Sequence, residues 1–413
     1  MTSQNRRLTM KDNQAKYPQL RFKGFTDPWV QRQVGDFLTE SRIPGSNGAI
    51  SKKLTVKLWG KGVIPKETVT DGSEATKYYV RKAGQFMYGK LDFLHAAFGI
   101  VPENLDGYES TLDSPAFDIA NLNSTFLMDT VMRKSFYLYQ GNIANGSRKA
   151  KRIHVDTFSD MPIDVPTLDE QDKIGYFFDQ LDNLIAANQR KLDLLKEQKK
   201  GYLQKMFPKN GAKVPELRFA GFADDWEVRK LKDVLDISKT KNKAQQYGKV
   251  DVLSVSREVG TVNQIKYQGR SFAGSDLSNY KVVQGGELIY TKSPLKGAPY
   301  GIFQVATIKG ILSPLYAVYT STDKAYTPFV AMALKNDNIA THYLTPLVTK
   351  GAKNTINVTD EGALEGKIQF PSILEQKQIF IFFKQLDDTI ALHQRKLEKL
   401  QELKKGYLQK MFC

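Results

Sequence analysis

The chain has 413 residues and a formal net charge of +16, with 60 Lys and Arg against 44 Asp and Glu. Its length predicts two or three domains, and its 41% hydrophobic and 25% charged residues are ordinary for a globular protein. The single cysteine, Cys413, excludes an intramolecular disulfide framework and a cysteine-rich zinc site. The positive charge favours a polyanionic partner, most often nucleic acid.

Nothing in the sequence predicts an export signal or a membrane span. Residues 1–16 are polar and lack the apolar segment of a signal peptide, so we expect a disordered basic tail. Apolar runs fall short of the roughly 18 residues that a membrane-spanning helix needs. A cytoplasmic protein without membrane contact is therefore expected.

A short motif follows the tail and returns near the middle of the chain. Residues 17–38 read YPQLRFKGFTDPWVQRQVGDFL, and residues 214–235 read VPELRFAGFADDWEVRKLKDVL. Both contain Pro-x-Leu-Arg-Phe-x-Gly-Phe and then a tryptophan, Trp29 or Trp226. This repeat indicates two halves built on one plan.

The bodies of the two halves, residues 36–165 and 233–370, have diverged but keep matching segments. Residues 84–90 (GQFMYGK) match residues 286–292 (GELIYTK). Short apolar runs punctuated by glycine and proline favour strands and tight turns, so each body is predicted to be a mixed α/β domain. Strands are predicted at 281–283, 287–290 and 314–319, and helices near 124–138 and 328–334.

A longer repeat closes each half. Residues 170–207 and 375–412 are identical at about 25 of 38 positions when residue 170 is aligned with residue 375. Both segments lack proline and are rich in good helix formers, which predicts helices of roughly 57 Å each. Apolar residues recur at heptad-like spacing, and such a seam must be buried against another helix. The predicted seam residues are Phe178, Leu181, Ile185, Asn188, Leu192, Leu195 and Tyr202 in the first helix, and Phe383, Leu386, Ile390, His393, Leu397, Leu400 and Tyr407 in the second.

The polar seam positions, Asn188 and His393, are equivalent in the two helices and are expected to fix register rather than add stability. A linker, PKNGAK, separates the halves, and a proline precedes each long helix. The predicted organisation is a tail (1–16), a first mixed α/β domain (17–165), a first long helix (166–207), a linker (208–213), a second mixed α/β domain (214–370) and a second long helix (371–413).

No pattern typical of a catalytic or metal site is found in the sequence. It has no phosphate-binding Gly-x-x-x-x-Gly-Lys-Ser/Thr loop and no Gly-x-Gly-x-x-Gly that opens a helix. The nearest approach to a methyltransferase tetrapeptide, Asp27-Pro28-Trp29, lacks its second proline. The four histidines have no metal-ligand spacing, and His95 is expected to be a satisfied core residue. We therefore predict no catalytic residue and no metal ligand.

Basic residues cluster on glycine-containing loops, at equivalent places near the end of each body and at two further places. Such side chains can meet phosphates together with backbone N–H groups, although a solvated loop is the alternative for any single cluster. The candidate DNA contacts are Lys90, Arg148, Lys149, Lys151, Arg152, Lys241, Lys243, Lys292, Lys296, Lys350 and Lys353.

The order of these elements resembles that of the specificity subunits of type I restriction–modification systems. The resemblance rests on PQLRFKGF and PELRFAGF with their tryptophans, on the Pro-to-Glu-Gln approaches at 166–171 and 371–376, and on the twin QRKL…KKGYLQKMF helices. It covers nearly the whole chain after about residue 17.

That resemblance implies a prokaryotic cytoplasmic protein with an α/β (α+β) fold. Two pseudo-symmetric target-recognition domains would each read one half of a bipartite, asymmetric site in double-stranded DNA, separated by an antiparallel coiled coil of the two long helices. Two methylation subunits would bring S-adenosylmethionine, and restriction subunits, where present, would bring ATP-driven cleavage. The chain itself is expected to hold no cofactor, since S-adenosylmethionine, ATP and magnesium belong to the partners.

Two other functions stay open from the sequence. One is a self-contained DNA-modifying or DNA-cleaving enzyme whose site is too diverged to recognise. The other is a basic coiled-coil scaffold that binds RNA or protein. The first would form product from DNA unaided, and the second would select no bipartite DNA sequence.

Overall fold

The computed structural model describes residues 16–67, 73–143, 152–209, 211–257, 259–335, 337–350 and 356–412. The tail before Lys16 and four of the predicted contacts, Arg148, Lys149, Lys151 and Lys353, lie outside these residues, as does Cys413. The chain divides into unit 1, residues 1–190 with 395–413, and unit 2, residues 191–394. Both boundaries between the units fall within the long helices.

The helices are, in chain order, α1 (Ser124–Val131), α2 (Lys134–Ile143), α3 (Val155–Ser159), α4 (Leu168–Lys205), α5 (Gln264–Gln268), α6 (Thr327–Ala333), α7 (Asp337–Leu344) and α8 (Ile373–Met411). Across the described residues, no helix is long and apolar enough to cross a membrane.

Unit 1 contains the first set of strands. They are β1 (Val30–Gln33), β2 (Leu38–Ser41), β3 (Pro44–Asn47), β4 (Leu54–Val56), β5 (Val63–Pro65), β6 (Lys77–Val80), β7 (Phe86–Tyr88), β8 (Phe98–Ile100), β9 (Glu109–Ser110), β10 (Ala116–Ile119) and β11 (Pro162–Val165). A four-stranded antiparallel sheet in the order β2-β10-β7-β8 forms the centre of the unit. Strands β3, β6 and β9 form a second sheet, and β1 pairs with β11.

An aromatic core explains why β7 lies at the centre of that sheet. All three of its residues are fully buried, and Tyr88 lies 4.6 Å from Phe158 between ring centroids. Phe93 and Phe117 join the same cluster. Aromatic side chains bury large apolar areas, so this cluster supplies much of the stability of unit 1.

Unit 2 contains the second set of strands. They are β12 (Glu227–Lys230), β13 (Leu235–Ile237), β14 (Leu253–Ser256), β15 (Gly260–Asn263), β16 (Lys281–Val283), β17 (Leu288–Thr291), β18 (Phe303–Val305), β19 (Gly310–Leu312), β20 (Tyr316–Ser321), β21 (Thr349–Lys350), β22 (Ile356–Asn357) and β23 (Lys367–Phe370). Its central sheet has the order β13-β20-β17-β18, and β12 pairs with β23.

The two central sheets share one topology. Strand β17 takes the place of β7, as the match between residues 84–90 and 286–292 predicts, and β20 takes the place of β10. The strands predicted at 281–283, 287–290 and 314–319 are confirmed as β16, β17 and β20, and the predicted helices as α1, α2 and α6. The mixed α/β class is confirmed in both units.

The long helices lie antiparallel to each other in both units. In unit 1, the ring of Phe177 lies 5.0 Å from that of Tyr407, and Asp182 pairs with Lys404 at 2.6 Å. In unit 2, the rings of Tyr202 and Phe382 are 5.1 Å apart, and Lys199 pairs with Asp387. Residue numbers rise along one helix as they fall along the other, so the predicted antiparallel pairing is confirmed.

The predicted seam residues are all buried or partly buried in both helices. Phe178, Asn188, Leu192, Leu195, Phe383 and Leu397 are buried, and Leu181, Ile185, Tyr202, Leu386, Ile390, His393, Leu400 and Tyr407 are partly buried. The side chain of Asn188 donates a hydrogen bond to the carbonyl of Leu184 within its own helix.

Candidate functional site

The Leu-Arg-Phe motif anchors each unit to the first turn of a long helix. The guanidinium of Arg21 donates two hydrogen bonds to the carboxylate of Glu170, at 2.7 and 2.6 Å. Arg218 makes the same bidentate contact with Glu375, at 2.8 and 2.7 Å. Both carboxylates are fully buried, and burying a charged pair costs hydration free energy. The two parallel hydrogen bonds of each bidentate contact offset that cost. We call these two contacts the anchor pairs.

The glutamine after each anchor carboxylate joins three elements. The side-chain amide of Gln171 donates to the carbonyl of Pro166 and accepts from the backbone N–H of Asn123, just ahead of α1. Gln376 donates to the carbonyl of Pro371 and accepts from the N–H of Tyr326 ahead of α6. The Glu-Gln dipeptide of the sequence repeat therefore has a structural role in each unit, because it holds the start of the long helix against the rest of that unit.

Each motif tryptophan packs against a phenylalanine that directly follows a long helix, within two residues of its end. In unit 1, Trp29 lies 5.6 Å from Phe126 and 5.9 Å from Phe412 between ring centroids. In unit 2, Trp226 contacts Phe329 and Phe207 in the same way, both at 5.9 Å. The end of α8 thus completes the core of unit 1, and the end of α4 completes that of unit 2.

The structure brings two predicted DNA contacts together in unit 1. Lys90 follows β7 and is half-buried, and Arg152 forms an ion pair with Asp113 at 3.2 Å. Burial lowers the pKa of Lys90, and the nearby carboxylates of Glu40 and Asp113 oppose this shift. Lys90 and Arg152 therefore form a basic group with acidic neighbours that partly offset its charge.

Unit 2 holds a related group that the sequence did not predict. Asp360 accepts hydrogen bonds from Lys281 and Lys292, and all three side chains are largely buried. Burial raises the pKa of Asp360, but the two lysine hydrogen bonds outweigh it and hold that pKa below its ordinary value. Lys292 thus shares one carboxylate of the chain with Lys281, so the group of three keeps a net positive charge.

The remaining predicted contacts of unit 2 are more exposed. Lys241 and Lys243 are exposed. Their segment lies beside β16, since the backbone of Lys241 forms a β-bridge with that of Lys281 and the ammonium of Lys243 donates a hydrogen bond to Asn279 at 3.3 Å. Lys296 is exposed in the turn between β17 and β18. Lys350 ends β21.

A buried carboxylate on α1 distinguishes unit 1. Asp129 lies 3.9 Å from the ammonium of Lys404, which also holds Asp182 at 2.6 Å. Burial raises the pKa of Asp129 to about 7, with Lys404 opposing the shift and Asp182 and Asp179 adding to it. One oxygen of Asp129 is buried without a hydrogen-bond partner. Unit 2 has Met332 at the corresponding place, three residues after Phe329.

The expectation that His95 is a core residue is wrong. It ends a short 3-10 turn, Phe93–His95, with 55% of its side chain exposed and its ring against the exposed indole of Trp59. Its apolar neighbours in the sequence, Phe93 and Ala96, suggested burial. Those two side chains are buried in the core, whereas that of His95 faces solvent. Among the described residues, no group of three or more His, Cys, Asp and Glu side chains could hold a metal.

Comparison with known proteins agrees with this double architecture. Residues 114–197 and 223–402 match the family model described as "Type I restriction modification DNA specificity domain". A solved structure, the type I restriction–modification system S subunit from M. genitalium, matches with a TM-score of 0.57 and 11% identity over 96% of this chain and 99% of that one, which shows a shared fold.

Two relatives from Methanocaldococcus jannaschii are similar in sequence. The type I restriction enzyme MjaVIII specificity subunit is 26% identical over 270 residues, and the putative type I restriction enzyme MjaX specificity subunit is 24% identical over 296 residues. These alignments cover 61% and 68% of this chain, and 62% and 64% of the relatives, which is less than two thirds of their length. With the family model matched over more than half of its residues, the chain belongs to the type I restriction–modification DNA specificity family.

Proposed function

We propose that this chain is the DNA-reading, non-catalytic subunit of a type I restriction–modification complex. Each unit would read one half of a bipartite, asymmetric site in double-stranded DNA. The observation that carries this proposal is that the two units have the same central-sheet topology and the same kind of anchor pair, but differ in their surface loops and basic side chains. A repeated scaffold with unlike surfaces suits a ligand with two unlike halves.

The electrostatics support a duplex as the ligand. The chain carries a formal net charge of +16, and the side chains of Arg152, Lys241, Lys243 and Lys296 are exposed. Binding to a duplex by the chain with its methylation subunits should weaken with salt by roughly 0.9 log units per released phosphate counterion. Salt-independent binding, or no binding at all, would contradict the proposal.

Two methylation subunits are the partners that the repeat suits. Tyr176 and Ile381 are equivalent positions on the two long helices, with 67% and 52% of their surface exposed. Tyr176 lines a shallow pocket together with Phe22 of the Leu-Arg-Phe motif. An exposed apolar residue at the same place in each half suits two copies of one partner.

Native mass spectrometry can test this stoichiometry. The Tyr176→Glu and Ile381→Glu variants should each lose one methylation subunit from the complex, and the double variant should lose both. Leu184 of α4 is a matched control, because it is 44% exposed but its counterpart in α8 is the polar Thr389. A Leu184→Glu variant with the same loss would show that these positions are not the docking sites.

Catalysis would come with the partners. Methylation subunits would bring S-adenosylmethionine, and restriction subunits, where a host encodes them, would bring ATP and magnesium chemistry. Incubating the purified chain with DNA, S-adenosylmethionine and magnesium should therefore give neither methylated nor cleaved product. Product formed by the chain alone would favour a self-contained enzyme.

The two halves should act independently on the target. Replacing residues 36–165 with the corresponding segment of another family member should alter one half-site of the methylated motif and leave the other unchanged. Inserting one helical turn into a long helix should alter the spacing between the half-sites or abolish assembly. Methylation mapping of a host genome would measure both the half-site sequences and the spacing between them.

A further inference from the structure

The hairpin between β4 and β5 presents an exposed tryptophan at its tip. Residues 57–62 form the loop, which is closed by a hydrogen bond from the N–H of Lys57 to the carbonyl of Gly62 at 2.9 Å. Trp59 is 52% exposed, whereas the other two tryptophans, Trp29 and Trp226, are 4% and 2% exposed. A large apolar side chain at a loop tip loses contact with water only when a partner covers it.

The tip holds Trp59 in a backbone conformation that disfavours it. Trp59 and Gly60 have φ angles of +61° and +63° in succession, and the N–H of Lys61 reaches back to the carbonyl of Leu58 at 3.4 Å. Turns with two successive positive φ angles prefer Asn, Asp or Gly at the first of these positions. A bulky residue there is strained, and strained residues persist mostly where a function needs them.

The surrounding structure fixes this strained tip in place. The N–H groups of Trp59 and Gly60 donate to the carbonyls of His95 and Ala96, at 2.8 and 2.9 Å. A Cβ at Gly60 would lie 2.6 Å from the sulfur of Met132, so the backbone is pressed against the body of unit 1 at this point. The indole meets the His95 ring edge-on, with 5.6 Å between centroids. The tip is therefore preorganised.

Two lysines of the same loop, Lys57 and Lys61, stand two positions before and two positions after Trp59. Lys57 and Lys61 are exposed, and no described residue forms an ion pair with either. The ion-pair contact of Asp92 in this region is with His95, at 3.8 Å. An exposed, fixed aromatic ring on a loop that also carries two exposed lysines is a combination with which proteins can meet bases and phosphates together.

We infer that the 57–62 tip is a DNA-contacting element of unit 1, in which the indole of Trp59 touches bases of the first half-site and Lys57 and Lys61 contact the flanking phosphates. This inference rests on the proposed function, because it assigns residues to a half-site that the function requires. It commits to a duplex rather than a protein partner because neither lysine of the loop forms an ion pair with a described residue.

Selective fluorescence of the chain tests the contact. The chain is produced with 5-hydroxytryptophan, which can be excited separately from ordinary tryptophan, and is assembled with unlabelled methylation subunits. The probe is a duplex selected by the complex from a random-sequence pool, with a shuffled duplex as control. Subtracting the signal of the Trp59→Phe variant isolates the emission of residue 59. The selected duplex should change this emission strongly, and the shuffled duplex should change it less.

The outcomes separate this inference from the proposed function. If the complex shifts the selected duplex in a gel but the emission of residue 59 is unchanged, the tip does not touch DNA, although the function stands. If no duplex is selected or bound, the proposed function itself fails. If methylation subunits alone change the emission and DNA adds nothing, the tip is a protein contact and the inference is wrong.

Binding by two variants supplies a second readout. Trp59→Asn removes the ring but suits the positive φ, so this variant should fold at least as stably as the parent chain. It should nonetheless bind the selected duplex roughly tenfold more weakly, within the range for loss of one base–aromatic contact. Trp59→Phe should retain most of the affinity. Equal affinities for the Asn variant and the parent chain would overturn the inference.

Discussion

Glu170 receives two hydrogen bonds from the Arg21 guanidinium while its own side chain is completely buried. The motif at the start of unit 1 is thereby fixed to the first turn of α4, 149 positions later in the chain. The pair formed by Arg218 and Glu375 does the same in unit 2. The most similar stretches of the two halves are thus those that hold each recognition body on its helix.

Breaking an anchor pair should destabilise the unit that contains it. Removal of one partner leaves a buried charge without compensation, which typically costs about 3 to 5 kcal/mol. We expect Arg21→Ala to lower the free energy of unfolding of unit 1 by about this amount. Denaturant unfolding followed by hydrogen exchange would place the loss in unit 1.

The double variant is the control for this anchor. Removing Glu170 together with Arg21 leaves neither charge stranded, so Arg21→Ala with Glu170→Ala should cost less than the sum of the single changes. Additive losses would show that the two groups do not act as a pair. Arg218→Ala should leave the protection of unit 1 unchanged.

Asp129 should make the stability of unit 1 fall as the pH rises. Burial raises the pKa of this carboxyl from 3.8 to about 7, so the folded chain holds the proton more tightly than the unfolded chain. Its favourable contribution is fully present below the unfolded pKa, is lost progressively from about pH 4 to pH 7, and stays lost above that.

Asp129→Asn should therefore raise the melting temperature at pH 8 more than at pH 5. Thermal melts of the full chain at the two pH values measure this difference. Asp129→Met, which copies Met332 of unit 2, should behave in the same way at pH 8. A variant with an unchanged pH profile would show that Asp129 stays ionised in the folded chain.

Lys292 and Lys296 should respond differently to substitution. Lys292 is largely buried and bonded to Asp360, while Lys296 is exposed. Lys292→Gln should mainly lower the stability of unit 2, because Asp360 keeps only Lys281 as a partner. Lys296→Gln should leave stability unchanged, and if Lys296 contacts a phosphate, it should reduce the salt slope of duplex binding by about 0.9.

The pH dependence of the Lys292 effect has a defined sign. Because the pKa of Asp360 is lowered in the folded chain, its contribution is present above the ordinary carboxyl pKa and is lost as the pH falls through the folded value. The stability difference between Lys292→Gln and the parent chain should narrow in acid. A difference that stays constant in acid would contradict this role for Asp360.

The chain should tolerate circular permutation at its linker. The N–H of Leu20 donates to the carbonyl of Lys410 at 2.8 Å, and the N–H of Leu217 donates to that of Lys205 at 2.9 Å. Each hydrogen bond joins the end of a long helix to a Leu-Arg-Phe motif. In unit 2 the helix end and the motif are also connected covalently, through residues 208–213. In unit 1 the equivalent helix end and motif make the same hydrogen bond without a covalent connection. A copy of PKNGAK placed between Phe412 and Tyr17 should therefore span the first junction.

Opening the chain at 208–213 after that ligation should preserve both units. Circular dichroism melts and duplex binding would measure the outcome, with the linear chain as reference. A permuted chain that loses the unfolding transition of either unit would show that the two junctions are not equivalent.

The sequence predicted the repeated parts of this fold well. Heptad spacing located the seam of α4 and α8, and matching segments located the central strands β7 and β17, because these signals are local and periodic. It did not predict the partners of the buried charges. Asp360 lies 68 positions after Lys292 and Glu170 lies 149 after Arg21, and pairings over such distances leave no periodic trace.

The site was less predictable for a related reason. Lys292 was selected as a DNA contact because it is basic and near a glycine, but exposure decides whether a cation can meet a phosphate. The sequence reasoning gave no prediction at Trp59, because the strain there lies in its positive φ angle, and a backbone angle cannot be read directly from the sequence. A tryptophan before glycine, between two lysines in a short loop, was the signal that could have identified it.

The packing of Phe412 against Trp29 has a consequence for biosynthesis. Unit 2 is made from one uninterrupted stretch, residues 191–394, so it can fold while the ribosome is still adding the remainder. Unit 1 starts to emerge first, but it must wait for residues 395–412 before its core can close. During that interval Trp29 and Phe126 lack their third ring, so the half synthesised first is the half completed last.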